Sequence, residues 1–373
     1  MVGPHLLVVL AAVLAAVLAA VLLSAQCAAK TTSFWPHIQA IETRSVATTV
    51  RDLEPRNPPL ANGHSSVRCT HPMQRVSWYT LTDAERASWT SSFRQLSKPG
   101  KSIFIKGGSF MDDLTLVHIG LQEELHYNSC FLPCHSAFLR AFYSLMRVSG
   151  YQGREAYWDI EHDWTHGIQN AALWTSLGGD DGRGGPIPSG PFVGSHCGLL
   201  PNTKKPGYSV YKPHPVTRHF NGDWNAKPLT RGDMYTAHFN QSIINTFLSA
   251  PDYATLRRSL EDNIHAWLHQ AIGGEMWLFS ATCEPAFWLL HMEIDRIWRS
   301  WQHLHGTYFQ YAGHRRIRHK DGSTEIKVAS LDDPIDFYGL FEKVTVRDVM
   351  HPRRGIMCFR YVHLYNNQLD TGR

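Results

Sequence analysis

The stretch NIHAWLHQAIGGEMWLFSATCEPAFWLLHMEIDR, from Asn263 to Arg296, is mostly apolar and reads as buried, yet it carries His265, His269 and His291. His265 and His269 stand four apart on a predicted helix, so one ring lies a turn above the other on the same face. That spacing offers two nitrogen donors to one metal ion. His291 lies on the next apolar helix. A buried neutral imidazole needs a partner at each ring nitrogen, because an unsatisfied polar atom in an apolar interior costs free energy. A metal satisfies one nitrogen of each ring, and an acceptor behind the ring satisfies the other. Asp295, one turn beyond His291, is the acceptor that the spacing suggests.

The chain holds 22 histidines, so an H-x-x-x-H pair alone says little. His162 and His166 have the same spacing but sit in a polar stretch after YWDI, and they read as surface or loop residues. A second set of three stands in the first half of the chain. His118 is on an apolar helix, His126 in the segment that follows, and His135 at the start of the next helix. Two sets of three, each drawn from a pair of helices, point to two metal ions at the centre of a four-helix bundle. The Glu-x-x-His pattern of di-iron bundles is absent. Imidazole-only sites suit copper, zinc, iron or nickel. Three neutral rings stabilise reduced copper and leave a face open for dioxygen. Zinc fits the same ligands but has no use for a second identical site.

The elements that must position these rings follow from apolar spacing. TLTDAERASWTSSFRQLS opens a helix, with Thr82 and Glu85 as a capping box and Trp89, Phe93 and Leu96 on the apolar face. Leu114, Val117 and Leu121 repeat at helical spacing through Leu125. Pro133 sits where the first turn of the next helix would begin, and Ser149-Gly150 ends it. Residues 175 to 232 are rich in Gly, Pro, Asn and Lys and read as loop. Helical pattern returns at SIINTFLS and at DYATLRRSLEDNIHAWLHQAI, which Gly273-Gly274 stops. The Gly pair could be a plain helix stop or could also let backbone approach the site. PAFWLLHMEIDRIWRSWQHLH is another helix, in which Trp288 and Trp298 read as core aromatics. The segments VTVRDVM and MCFRYVHLY read as strand or extended edge. The expected fold is therefore mainly α, a central four-helix bundle holding a dinuclear site, with long loops and a few short strands.

The totals fit a folded chain. Of 373 residues, 43% are hydrophobic and 18% charged, enough apolar material for a sizeable core. The net charge of +4 is small, and the one basic cluster, HRRIRHKDG, reads as a solvated hairpin or loop, so nucleic acid is not an expected partner. Leu6 to Leu23 form an Ala/Leu/Val run ending in small residues. Residues 1–29 read as a secretory signal peptide, with an uncleaved anchor as the alternative, and no other segment could span a membrane. Residues 30–66 read as an irregular leader, 67–366 as the catalytic domain and 367–373 as a tail. A secreted chain admits disulfides among Cys69, Cys130, Cys134, Cys197, Cys283 and Cys358, and the sequence leaves their pairing open. Asn240-Gln241-Ser242 is a glycosylation acceptor in that setting.

HYNSCFLPCHSAFL resembles the copper-A signature of tyrosinases, H-x4-F-L-P-W-H-R-x-F. HAWLHQAIGGEM followed by EPAFWLLHMEIDRIW resembles their copper-B signature, and YWDI, VTVRDVM and CFRY resemble further family segments. The similarity runs from about Cys69 to Tyr361 and is nearest to the short secreted tyrosinases of filamentous fungi. It implies one copper ion on His118, His126 and His135, a second on His265, His269 and His291, and dioxygen as co-substrate. Glu261 matches the glutamate that holds a water able to take the phenolic proton, and Phe287 the phenylalanine packed beside the site. The implied activity is oxidation of a small phenolic compound or a tyrosyl peptide to an o-quinone. Ala266 stands where some tyrosinases have an Asn that orients the water. That favours o-diphenols or o-aminophenols as substrates over monophenol hydroxylation. Other departures are Cys134 for Trp, Ser136 for Arg, Tyr143 for Glu, Glu284 for Asp and Leu290 for His. Changes at Ser136 and Tyr143 would remove both ends of an ion pair together. The short stretch after Tyr361 leaves out the C-terminal lid of latent family members. A dioxygen carrier with the same ligands, and a copper-free scaffold with the same fold, are the alternative outcomes.

Overall fold

The computed structural model describes residues 69–221, 232–319 and 323–367. The expected signal peptide and leader lie outside these residues, as does nearly all of the expected tail. Among the described residues, no helix is long and apolar enough to cross a membrane.

Six helical segments build the frame. Helix α1 (Asp83–Leu96) starts at the expected capping box, with Thr82 accepting from the Glu85 amide and Glu85 accepting in return. Its Trp89, Phe93 and Leu96 are buried. Helix α2 (Phe110–Gly120) starts at a second capping box, Ser109 and Asp112. A short turn, Gln122–Leu125, leads from it towards α3 (Phe131–Val148), which ends at Ser149-Gly150 as the pattern predicts. The predicted helix at DYATLRRSLEDNIHAWLHQAI is three pieces. Helix α4 (Tyr253–Ser259) passes into a π-helical stretch, Leu260–His265, and then into α5 (Ala266–Ile272). Such wide turns are rare and tend to occur at functional sites. Helix α6 (Pro285–His305) begins with Pro285 at its first position and Glu284 as its N-cap. It is buried along most of its length, and α3 and the π-helical stretch pack on it. The architecture is mainly helical with a few short strands, as expected.

The strands act as fasteners. Strand β1 (Met73–Ser77) pairs in parallel with β2 (Glu155–Tyr157) and with the terminal strand Phe359–Tyr361. From β1, Arg75 reaches Glu155 at 2.8 Å and Asp295 of α6 at 2.7 Å, all buried. Asp295 also forms an ion pair with Arg299 at 3.2 Å and accepts from the Tyr361 hydroxyl at 2.7 Å. It therefore serves buried cations and binds no histidine, which corrects the role that its spacing suggested.

The glycine-rich region expected to be all loop contains a hairpin, β3 (His196–Pro201) with β4 (Ser209–Pro215). The basic cluster forms the first strand of another, β5 (His314–Arg318) with β6 (Thr324–Val328), although its Arg315 is buried. VTVRDVM is also corrected: Val344–Thr345 is extended, but Val346–Met350 is a helical turn capped by Thr345 and Asp348. The six cysteines among the described residues pair as Cys69–Cys358, Cys130–Cys134 and Cys197–Cys283.

Candidate metal centre

The six predicted ligands converge as two triads. In each triad the facing donor atoms lie within 4.8 Å of one another. In the first, the His118 and His126 rings are 5.0 Å apart, His126 and His135 also 5.0 Å, and His118 and His135 5.9 Å. In the second, His265 lies 4.5 Å from His269 and 5.1 Å from His291, with 5.6 Å between the last two. The triads face each other: His135 stacks on His291 at 4.5 Å, and His126 lies 5.9 Å from His265.

Different elements deliver each ring. His118 is in the last turn of α2, and His126 closes the Gln122–Leu125 turn. The backbone then bends through Tyr127, at φ 56°, a strained conformation for a non-glycine residue. Asn128 holds the bend by donating to the carbonyls of Glu123, Glu124 and His126 at 2.7 to 3.0 Å, while its own oxygen accepts from the Cys130 amide. The Cys130–Cys134 disulfide spans the first turn of α3, just ahead of His135. The π-helical stretch carries Glu261 and His265, α5 carries His269, and α6 carries His291.

Backbone carbonyls fix the rings. Nδ1 of His126, His135 and His265 faces the carbonyl four residues earlier, at 3.0, 2.8 and 3.3 Å. His118 Nδ1 faces Phe279 O at 2.7 Å, and His269 Nδ1 faces Met276 O at 2.6 Å. A carbonyl only accepts, so these five rings carry their proton on Nδ1 and turn an Nε2 lone pair inward. Nε2 of His118, His135 and His265 has no hydrogen-bond partner although buried, and His269 and His291 point Nε2 at each other at 3.4 Å. Buried lone pairs without a donor are what a bound cation would satisfy. Burial holds the rings neutral: His118 and His269 are pushed down to about 4 and His135 to about 3. His126, His265 and His291 are lowered well below the ordinary value by burial first and by neighbouring rings second.

Of the other predicted residues, Phe287 lies against both triads, 4.2 Å from His291 and 5.2 Å from His118. Glu261 is buried beside them. Its Oε1 accepts from the Tyr127 amide at 2.6 Å and its Oε2 from Arg257 at 2.8 Å. Burial raises it to about 7 against the pull of these two donors. His162 and His166 stay outside the centre: His162 is half-exposed, pairs with Asp163 at 2.9 Å and stacks on Tyr79. Gly273-Gly274 ends α5 with both residues at positive φ, but a Cβ on either would strike the backbone of Thr217 or His219. The close approach there is to the segment after β4, not to the metal centre. Ser136 and Tyr143 have separate partners, Arg299 for the first and the Ala156 amide for the second.

Sequence reasoning missed the Phe131 ring, 4.9 Å from both His135 and His265, and the partly exposed Phe279 ring, 5.6 Å from His126. Phe131 lies within the quoted HYNSCFLPCHSAFL. For the Met276 and Phe279 carbonyls the one signal was the Gly pair ahead of them. A third cluster of potential ligands, Cys197, His214 and Glu275, is not a thiolate site, because Cys197 is bonded to Cys283.

Residues 108–304 match the common central domain of tyrosinase. The chain belongs to the tyrosinase family. It is 29% identical over 308 residues to the tyrosinase-like protein phomQ2 of Diaporthe leptostromiformis, covering 80% of this chain and 75% of that protein. It is 27% identical over 308 residues to tyrosinase ustQ of Aspergillus flavus, covering 79% and 80% respectively. The polyphenol oxidase of Thermothelomyces thermophila, solved as a single-residue variant, shares the fold with a TM-score of 0.64, at 22% identity, over 88% of this chain and 96% of that one. The tyrosinase domain holds both triads, and the protein is a tyrosinase-like type-3 copper oxidase.

Proposed function

We propose that this oxidase converts o-diphenols or o-aminophenols to o-quinones with dioxygen, with monophenol hydroxylation as a lesser activity. One observation carries the reading: two buried triads of neutral imidazoles face each other with their Nε2 atoms inward and, for His118, His135 and His265, unpartnered. His118, His126 and His135 would hold one copper, and His265, His269 and His291 the other. When bound, the pair supplies a two-electron sink that passes electrons from the phenolic ring to dioxygen. The chain does the rest. Carbonyls lock the tautomers, Phe131 and Phe287 exclude water from the buried side, and Phe279 and Tyr127, both exposed, border the approach. Glu261 is the acceptor we assign to the phenolic proton, directly or through a water, since each carboxylate oxygen keeps a lone pair beyond its present donor. Ala266 offers no side-chain partner to orient that water, which supports catechol oxidation over hydroxylation.

Metal analysis with oxygen uptake on 4-methylcatechol tests the reading. Two coppers per chain and sustained uptake are expected. Two coppers without uptake would make the protein a dioxygen carrier, and well under two would make it a scaffold. We further propose secretion, which three disulfides among the described residues support. N-terminal sequencing of exported protein should begin near residue 30, and retention of Met1 would refute the signal assignment.

A further inference from the structure

Two of the carbonyls that hold ligand rings come from one short loop. Met276 O takes His269 of one triad and Phe279 O takes His118 of the other, at 2.6 and 2.7 Å. The loop contributes no ligand itself. Its position is set by Glu275, only 1% exposed. The Glu275 amide donates to Thr217 O at 2.9 Å. One carboxylate oxygen accepts from Ser280 Oγ at the far end of the loop, and the other accepts from His214 Nε2 of β4 at 3.0 Å. His214 Nδ1 meets Lys212 O at 2.9 Å. Both ring nitrogens of His214 thus face acceptors, a geometry that suits the doubly protonated ring. The β3–β4 hairpin is fastened a second time by Cys197–Cys283, just past the loop. The same loop turns Trp277, Leu278 and Phe279 towards solvent, and the Phe279 ring lies 5.6 Å from His126 and 6.3 Å from His118.

We propose that Glu275, clamped by His214 and Ser280, is a positioning residue that sets one ligand ring in each triad and the shape of the substrate approach through a single loop. A carboxylate that closes the loop on itself and anchors it to the hairpin fixes both carbonyls together. When it loosens, His118 and His269 should lose their orientation in concert, although they belong to different metal sites.

This inference rests on the dicopper reading, and its test separates the two. Wild type, Glu275→Gln and His214→Gln are loaded with copper and compared with Glu85→Gln, which weakens an ion pair on α1. Both loop variants should release copper to a chelator about tenfold faster than wild type, the low end for a residue supporting a ligand. A larger share of their Cu(II) should be visible by EPR, because a misaligned pair is no longer coupled, and KM for 4-methylcatechol should rise. Glu85→Gln should change thermal stability alone. His214 is partly exposed on a hairpin, so His214→Gln carries the test if Glu275→Gln fails to fold. A wild type that binds two coppers, with loop variants that match it in release rate and EPR, overturns this inference alone. A wild type that does not bind two coppers overturns the functional reading and this inference with it.

Discussion

At Glu261 one residue touches both halves of the centre. It accepts from the amide next to His126, while the carbonyl of the same residue holds His265. Glu261→Gln keeps an oxygen for the Tyr127 amide but removes the proposed base. We expect copper content to stay near two per chain and kcat to fall about 100-fold, a usual size for a lost general base. Steady-state kinetics with metal analysis would show it, and an unchanged kcat would remove Glu261 from proton transfer. The two histidine triads were legible in the sequence, because imidazoles on apolar helices have few bland explanations. Their partners were not. Five of the six rings are held by backbone carbonyls, and a carbonyl carries no residue identity. Asp295 misled for a related reason. Its spacing from His291 was visible, but the arginine that takes it comes from β1, far away in the chain.

Among the elements, α1 gives the clearest pH dependence. Glu85 closes the capping box at Thr82 and receives Nε and Nη2 of Arg154 at 2.8 and 2.7 Å. The Arg154 guanidinium first, with the Thr82 amide adding to it, holds the carboxyl down at about 2. A carboxyl lowered in the folded state stabilises it above the ordinary value near 4.5, and that contribution disappears as pH falls from there to about 2. Glu85→Gln should cost about 1 kcal/mol at neutral pH, allowing for its partial exposure. Urea unfolding at pH 7 and at pH 3 would check the sign: the difference between variant and wild type should shrink at pH 3. Equal differences would show that the charge contributes nothing. Helix α1 was readable to its first residue because capping chemistry is local. The π-helical stretch, which packs on α6, was not, since its sequence has an ordinary helical period. The β3–β4 hairpin was hidden by a composition that also suits loops.

Across the whole molecule, the long glycine-rich excursion divides the two triads: His118, His126 and His135 precede it, and His265, His269 and His291 follow it. Its tip, Asp181 to Arg183, exposes both of these side chains, while Ile187 beyond it is buried. Cys69 and Cys358 join the two ends of the described chain across 289 residues. Protease should cut first at this tip. The cut protein should migrate as one species without reductant and as two fragments with it. Separation without reductant would show the terminal bond absent. Cys69–Cys358 makes the polypeptide a closed bracelet, and a bracelet severed once still encircles the wrist. A single nick would thus leave each half-site tethered opposite its counterpart, at a local concentration that free fragments could not reach.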